Sequence, residues 1–449
     1  MSHCPLPRER TSRINPTLEE KIHLLKGSGV ASAMGNVKPG GIPGAVGTIV
    51  PTPRLGIPTI YLSDGPAGLR IQPTRTGEDR TFYCTAFPIA TLLASSWNED
   101  LLYEVGDAMG KEAEAYGIDV ILGPGANIHR HPLCGRNFEY FSEDPILSGE
   151  MGAAYINGVQ SQGVGSILKH FTANNVETMR MFNNSNVDTR TLHELYLTPF
   201  EIAVKKSQPW TVMACYNRVQ GEYGTQSEFL LTDILKKDWG FKGIVVSDWF
   251  AVIDRVAAMK AGMHLEMPNV SPVNNAIAVE AIKNGELDIA VVDALVKEIL
   301  TVVFKAKSLQ KEGFELNIEK DHAFARKVAS EAATLLKNDN DVLPISKDKY
   351  KKAAIIGGGD GGVARECISK NFSFVDWYEL DPEVVDVCNK HLGDIGNKST
   401  EKNSVKCVWG DAFESIKSIE DDTYDHIFVD LNDDQLRQLV WQVCSDRHL

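Results

Sequence analysis

The first 310 residues alternate short apolar runs with amphipathic helical stretches, and that alternation confines the chain to a small set of folds. The runs Thr59–Leu62, Val120–Leu122, Ser166–Leu168, Thr211–Ala214 and Ile244–Val246 are rich in apolar and β-branched residues and stop at Gly, Pro or a polar residue. Between them, Glu99–Tyr116 carries Leu102, Val105, Met109 and Ala113 on one stripe, and Thr191–Lys205 does the same with Leu192, Leu195, Phe200 and Val204. Strands that are apolar along their length are buried on both faces, which requires a parallel sheet covered by helices. Sustained over ~250 residues, the pattern predicts a (β/α)8-type barrel.

Polar residues interrupt this pattern where the strand runs end. Asp64 follows Ile-Tyr-Leu-Ser, Lys169 and His170 follow Ser-Ile-Leu, Tyr216 follows Met-Ala-Cys, and Asp248 follows Val-Val-Ser. In a barrel of parallel strands these positions open onto one face, where loops build the active site. The same face offers Arg70, Arg136, Arg180 and Trp249. A pyranose needs this mixture: carboxylates and cations for its hydroxyls, and an aromatic ring for its C–H face. Retaining glycosidases need, in addition, one ionised carboxylate, and cations beside Asp248 are expected to lower its pKa.

Charge divides the chain. The last 97 residues, from Ala353, hold 9 basic and 19 acidic residues, so they carry most of the net charge of −14. An acidic chain without clustered Lys and Arg excludes a nucleic-acid footprint. No apolar run is long enough for a transmembrane helix, and the N-terminus lacks the apolar core of a signal peptide. Eight dispersed cysteines without a C-x-x-C pair point to reduced thiols in a cytoplasmic protein, with no metal site. The organisation expected is a barrel over 1–310, a helical linker over 311–352, and a second domain over 353–449.

The second domain opens with the strand Ala353–Ile356, then Gly357-Gly-Gly-Asp-Gly-Gly362 and a helix from Val363. Further strands at Phe374–Tyr378, Ser404–Trp409 and His426–Val429 end at Glu379, Gly410-Asp411 and Asp430. This is a truncated Rossmann-like α/β unit, with Gly357, Gly359 and Gly362 in the spacing of a nucleotide loop.

Over about 16–345 the sequence resembles glycoside hydrolase family 3. The resemblance is carried by Leu62-Ser-Asp-Gly-Pro-Ala-Gly-Leu-Arg70, Cys134-Gly-Arg-Asn-Phe-Glu-Tyr-Phe-Ser-Glu-Asp-Pro145, Leu168-Lys-His-Phe171, Val212-Met-Ala-Cys-Tyr-Asn217 and Trp239-Gly-Phe-Lys-Gly-Ile-Val-Val-Ser-Asp-Trp249. It implies a cofactor-free retaining hydrolase acting on terminal β-D-glucosyl residues of small saccharides or aryl and alkyl glucosides. By that resemblance Asp248 is the nucleophile. Asp64, Arg136, Lys169 and His170 hold sugar hydroxyls, Arg70 and Arg180 orient those groups, Tyr216 sits beside Asp248, and Met213 and Trp249 line the pocket. Glu143 and Asp144 are read as structural, and Asp188 and Asp254 as solvated surface. The family's general acid/base is either a Glu of a second domain or a His in a Pro-Gly-His-Gly loop. Here that loop reads Phe171-Thr-Ala-Asn-Asn175, and too few residues follow for the family's second domain, so protonation of the leaving group should be impaired.

Over about 353–434 the sequence is similar to the spermidine/spermine synthase family, through Ile356-Gly-Gly-Gly-Asp-Gly-Gly362, Tyr378-Glu-Leu-Asp381, Gly410-Asp-Ala412 and Asp430-x-x-Asp433. That likeness implies an S-adenosyl-compound site, with Glu379 on ribose, Asp411 on adenine, and Asp430 and Asp433 on an amine. The family's N-terminal β-domain and later strands are missing, which suggests a fusion of two fragments near Ile356 and Gly357. The alternatives to hydrolysis are therefore an aminopropyltransferase-like or nucleoside-binding protein, or a sugar binder that does not hydrolyse. An incomplete sheet leaves an open edge that favours a homo-oligomer.

Overall fold

The computed structural model describes residues 15–29, 41–269, 272–311, 316–341, 343, 351–392, 395–396, 398–420 and 423–431. The chain divides into two compact units, Met1–Thr334 and Leu335–Leu449.

The first unit is built on a curled sheet. In order across it run β1 (Gly27–Ser28), β2 (Gly47–Ile49), β3 (Ile60–Asp64), β4 (Val120–Leu122), β5 (Gly165–Phe171), then Thr211–Ala214 and Ile244–Ser247. The last five of these are mutually parallel. Parallel bridges Val246↔Leu265 and Lys26↔Glu266 close the ring through an eighth stave, with Ser247 N–H donating to Leu265 O at 2.9 Å and Gly27 N–H to Glu266 O at 2.8 Å. The expected barrel is present, with one departure from the all-parallel reading: β2 runs antiparallel to both neighbours.

The helix Glu99–Tyr116 has the bounds read from its periodicity. Asn98 caps it by accepting from Leu101 N–H, and Gly117, with φ of 78°, ends it in the left-handed region. Its stripe of Leu102, Val105, Met109 and Ala113 is buried. It packs closely on the helix Pro145–Ser161, where a Cβ on Gly158 would lie 2.1 Å from Tyr103 O, so only glycine permits the approach. The Thr191–Lys205 stripe behaves differently. Thr189–Thr191 opens a helix that widens into a π-turn over Leu192–Leu197 before Thr198–Ser207. The π-turn shifts the phase, so Leu195 is exposed while Leu192, Phe200 and Val204 are buried. The helix Ile318–Ala332, placed in a linker by the sequence reading, buries Ala325 and Val328 against Leu93, Leu102 and Val105 of the first unit.

A small sheet of Asn184–Ser185 (β6), Arg218–Val219 (β8) and Glu222–Tyr223 (β9) lies in the loops after β5 and after Thr211–Ala214, which is β7 in chain order. Ile244–Ser247 is then β10.

The second unit is a four-stranded parallel sheet of β11 (Lys352–Gly357), β12 (Phe374–Glu379), β13 (Val405–Trp409) and β14 (His426–Asp430), ordered β13-β12-β11-β14. The helices Gly362–Ser369 and Pro382–His391 make the crossovers beside β11 and β12. The order reverses between β11 and β14, the kind of switch point where open α/β sheets bind ligands. Gly357 and Gly358 hold φ of 80° and 69°, and the buried Trp377 donates its indole N–H to Gly357 O at 2.7 Å, fixing the loop. Among the described residues no helix is long and apolar enough to cross a membrane.

Candidate functional site

The ten residues singled out on the barrel face line one cavity of about 610 Å³: Asp64, Arg70, Arg136, Lys169, His170, Arg180, Met213, Tyr216, Asp248 and Trp249. They reach it because they sit at or beyond the carboxyl ends of β3, β4, β5, β7 and β10. β5 supplies two consecutive side chains. A strand normally sends neighbours to opposite faces, but β5 changes register against β7 between Leu168 and Phe171, and both Lys169 and His170 line the cavity. The strand also runs on to Phe171, past the Leu168 at which the sequence reading stopped it. Its two polar residues are fully satisfied inside the barrel and do not end it.

A chain of charges runs along the wall. Lys169 Nζ is 3.4 Å from Asp64 Oδ1 and 3.3 Å from Glu139 Oε2. Glu139 also pairs with the Nε of Arg136, and Asp64 Oδ2 is 3.1 Å from Arg70 Nη1. Burial pushes the Asp64 carboxyl up, but Lys169, the Gly65 backbone and Arg70 bring it below the usual carboxylate range. Burial pushes His170 well below its ordinary value, and Arg136, Lys169 and Arg180 push it the same way, so the ring is neutral.

Asp248 lies at the floor. Its Oδ1 accepts from Trp249 N–H at 2.8 Å. Its Oδ2 has no hydrogen-bond partner of good geometry, although the nearby Tyr216 hydroxyl stabilises its charge. Here the electrostatic expectation is corrected. Burial outweighs Arg136, the Trp249 amide, Tyr216 and Lys169, and holds the carboxyl at about 6, above its ordinary value. Above that pH it is an ionised carboxylate with lone pairs on Oδ2 uncommitted to a good hydrogen bond. The Arg180 guanidinium stacks 4.6 Å over the Tyr216 ring and reaches Glu177 Oε2 at 2.9 Å.

Glu139 was missed as a site residue. It lines the same cavity, and its signals were its spacing of three from Arg136 and its place within the motif from Cys134 to Pro145. Three other acids have structural roles: Asp144, Asp188 and Asp254 cap the helices that follow them. Among the described residues no cluster of His, Cys, Asp and Glu is suited to hold a metal ion.

In the second unit, Gly357, Gly359, Glu379, Asp411 and Asp430 line a cavity of about 520 Å³ at the carboxyl ends of the four strands. Gly362 does not line it. It begins the helix Gly362–Ser369, one residue past the left-handed Gly361. Asp433 lies outside the described residues. A Cβ on Gly357 would lie 2.2 Å from Asp430 O, and one on Gly359 would lie 2.6 Å from Val384 Cγ1 and 3.3 Å from Glu379 Oε2. The loop is therefore a bare-backbone cradle beside a carboxylate.

The family model for the glycosyl hydrolase family 3 N-terminal domain matches residues 46–302, more than half of the chain. The chain belongs to glycosyl hydrolase family 3. The spermine/spermidine synthase domain model matches residues 341–440. Thermostable beta-glucosidase B of Acetivibrio thermocellus is 49% identical over 300 residues, 66% of this chain and 40% of that protein. An exo-alpha-(1->6)-L-arabinopyranosidase of Bifidobacterium longum is 43% identical over 314 residues, 67% of this chain and 41% of that protein. The solved structure of beta-glucosidase 3B from Thermotoga neapolitana with alpha-D-glucose is 41% identical with a TM-score of 0.74, covering 86% of this chain and 56% of that one. This family member thus spans about two fifths of the length of these curated relatives.

Proposed function

We propose that the barrel hydrolyses terminal, non-reducing β-D-glucosyl residues with retention of configuration. The observation that carries this is the Asp248 carboxylate, ionised above about pH 6, fixed by Trp249 N–H and set in a cavity walled by Asp64, Arg136 and Lys169. Asp248 attacks C1, the glycosidic C1–O bond breaks, and the leaving oxygen takes a proton. Water then attacks C1, gives up a proton to solvent, releases Asp248 as the carboxylate and yields β-glucose. Asp64, Arg136, Lys169 and neutral His170 hold the hydroxyls, Arg70 and Arg180 orient these groups, Tyr216 stabilises Asp248, and Met213 and Trp249 shape the apolar side. Asp64 and Glu139, the other carboxylates lining this cavity, are held ionised by their cations, so the leaving oxygen draws its proton from solvent and the first bond cleavage is the impaired step. A 2-fluoro glucoside tests this directly: peptide mapping should find the label on Asp248, and a label elsewhere removes the nucleophile assignment. Glucose bound by calorimetry with no turnover of any aryl glycoside would instead make the barrel a sugar binder.

A second reading concerns the other unit. The glycine cradle beside Glu379, with Asp411 on the same cavity, supports binding of a nucleoside or S-adenosyl compound there. When bound, such a group would supply a ribose diol for Glu379 and an adenine for Asp411. Methylthioadenosine titrated into wild-type and Glu379→Gln chains tests it: binding that is absent, or unchanged by the substitution, removes the reading.

A further inference from the structure

Arg136 and Lys169 reach the cavity from different elements, the loop after β4 and the strand β5, and one buried carboxylate joins them. Glu139 is 5% exposed, pairs with Arg136 Nε through Oε1, and lies 3.3 Å from Lys169 Nζ through Oε2. The Arg136 guanidinium is then committed on two sides, to Glu139 through Nε and to His170 Nε2 through Nη2 at 2.6 Å. Lys169, 3% exposed, is held between Glu139 and Asp64. Each cation therefore presents one fixed face to the cavity. Glu139 itself does not need to touch the sugar to set that geometry.

We propose that Glu139 is a positioning residue, a buried counter-ion that fixes Arg136 and Lys169 for sugar binding and withholds part of their charge from Asp248. This rests on the hydrolytic reading only for its second half; the first half concerns sugar binding alone. The charge argument follows from what faces each carboxylate. Around Glu139 stand Arg136, Lys169, Asp64 and Tyr140; around Asp248 stand Arg136, Lys169, neutral His170, Tyr216 and Cys215. Burial pushes Glu139 up, but Lys169 and Arg136 outweigh it and keep the carboxyl below its ordinary value, so it is charged at neutral pH. Removing that negative charge leaves both cations free to act on Asp248, and an added positive influence favours its ionised form.

The test uses the full chain with Glu139→Gln, which keeps the shape and removes the charge, and Glu139→Asp, which keeps the charge and withdraws it by one methylene. Glucose calorimetry should show at least tenfold weaker binding for Glu139→Gln, with Glu139→Asp between it and wild type. With an aryl β-glucoside, kcat/KM should fall about 10²-fold for Glu139→Gln, the scale of a roughly 1 Å misplacement. Its acid limb should move to lower pH than that of wild type. Wild-type glucose affinity in both variants, with only the melting temperature lowered, overturns the proposal, because a purely structural carboxylate would not move the affinity or the limb. If Glu139→Gln does not fold, Glu139→Asp decides alone, since wild-type affinity there means the placement of the charge is immaterial. A wild-type chain that binds glucose without turning over any glucoside defeats the hydrolytic reading, yet leaves the calorimetric comparison intact. A wild-type chain that does not bind glucose overturns the proposal as well.

Discussion

Arg136 donates to Nε2 of His170 at 2.6 Å. A guanidinium has no acceptor, so that nitrogen carries the lone pair, and the ring proton sits on Nδ1 opposite the Tyr140 hydroxyl at 3.1 Å. His170 is consequently a neutral ring 3.8 Å from Asp248, not its ion-pair partner. The group at the cavity floor that titrates near neutrality is then Asp248, with burial holding it at about 6. For an aryl β-glucoside, kcat/KM should fall as pH drops through about 6, because the protonated carboxyl is no nucleophile. A limb near 4, the value of an unburied aspartate, would contradict the burial argument.

The same burial costs stability. An acid whose folded pKa is raised favours folding when protonated and opposes it when ionised. The penalty is absent below about pH 4, where both states are protonated, and full above about pH 6. A shift from 3.8 to about 6 corresponds to roughly 3 kcal/mol at most. Asp248→Asn should therefore raise the melting temperature at pH 7 and lose that gain as the pH approaches 4. It should also lower hydrolysis by more than about 10³-fold while glucose binding by calorimetry persists.

Arg255 and Glu266 form a buried pair at the seam of the barrel. Arg255 Nη2 also donates to Ile22 O at 3.3 Å and Leu25 O at 3.4 Å, and Glu266 accepts from Asn269 and Asn274. Arg255→Met leaves Glu266 without its counter-charge and should cost about 3–5 kcal/mol in denaturant melts. Replacing both residues with apolar ones should recover much of that loss. A single variant as stable as wild type would mean the seam does not depend on the pair.

Leaving-group chemistry offers a kinetic check. General acid catalysis is typically worth about 10²–10⁴-fold. Aryl glucosides with acidic phenols should exceed cellobiose in kcat/KM by a margin of that size. Equal rates would mean that protonation of the leaving group is not the impaired step.

Much of this architecture was legible because burial and period coincide. Val120–Leu122 is apolar at every position, Thr211–Ala214 is apolar or β-branched and buried throughout, and both have the bounds expected of them. Where polarity and burial part company, the pattern misleads: Lys169 and His170 look like a strand end, yet they are buried like the rest of β5 because each has charged or hydrogen-bonded partners inside the barrel. The staves at Gly27–Ser28 and Gly47–Ile49 are too short and glycine-rich to carry a period, and 264–266 reads His-Leu-Glu. Leu195 went astray because a π-turn adds a residue to the helical repeat. In the site, the motifs carried the residues that face the cavity. Glu139 lines the cavity too and lies within the motif from Cys134 to Pro145, but nothing in the residue pattern set it apart from its neighbours there.

The ring closure at Gly27 and Glu266 has a consequence for synthesis. The stave made first pairs on its outer side with one made near the end of the unit, so β1 leaves the ribosome well before that partner exists. At about 5–20 residues per second, translation of the intervening chain takes roughly 10–50 s. Throughout that interval the nascent sheet has two bare edges, each able to pair with another nascent chain. The arrival of Leu265 and Glu266 should therefore mark the step at which the nascent chain stops depending on chaperones. Stalled-ribosome chains just too short and just long enough to carry 264–266 clear of the exit tunnel would reveal it as an abrupt gain in protease resistance.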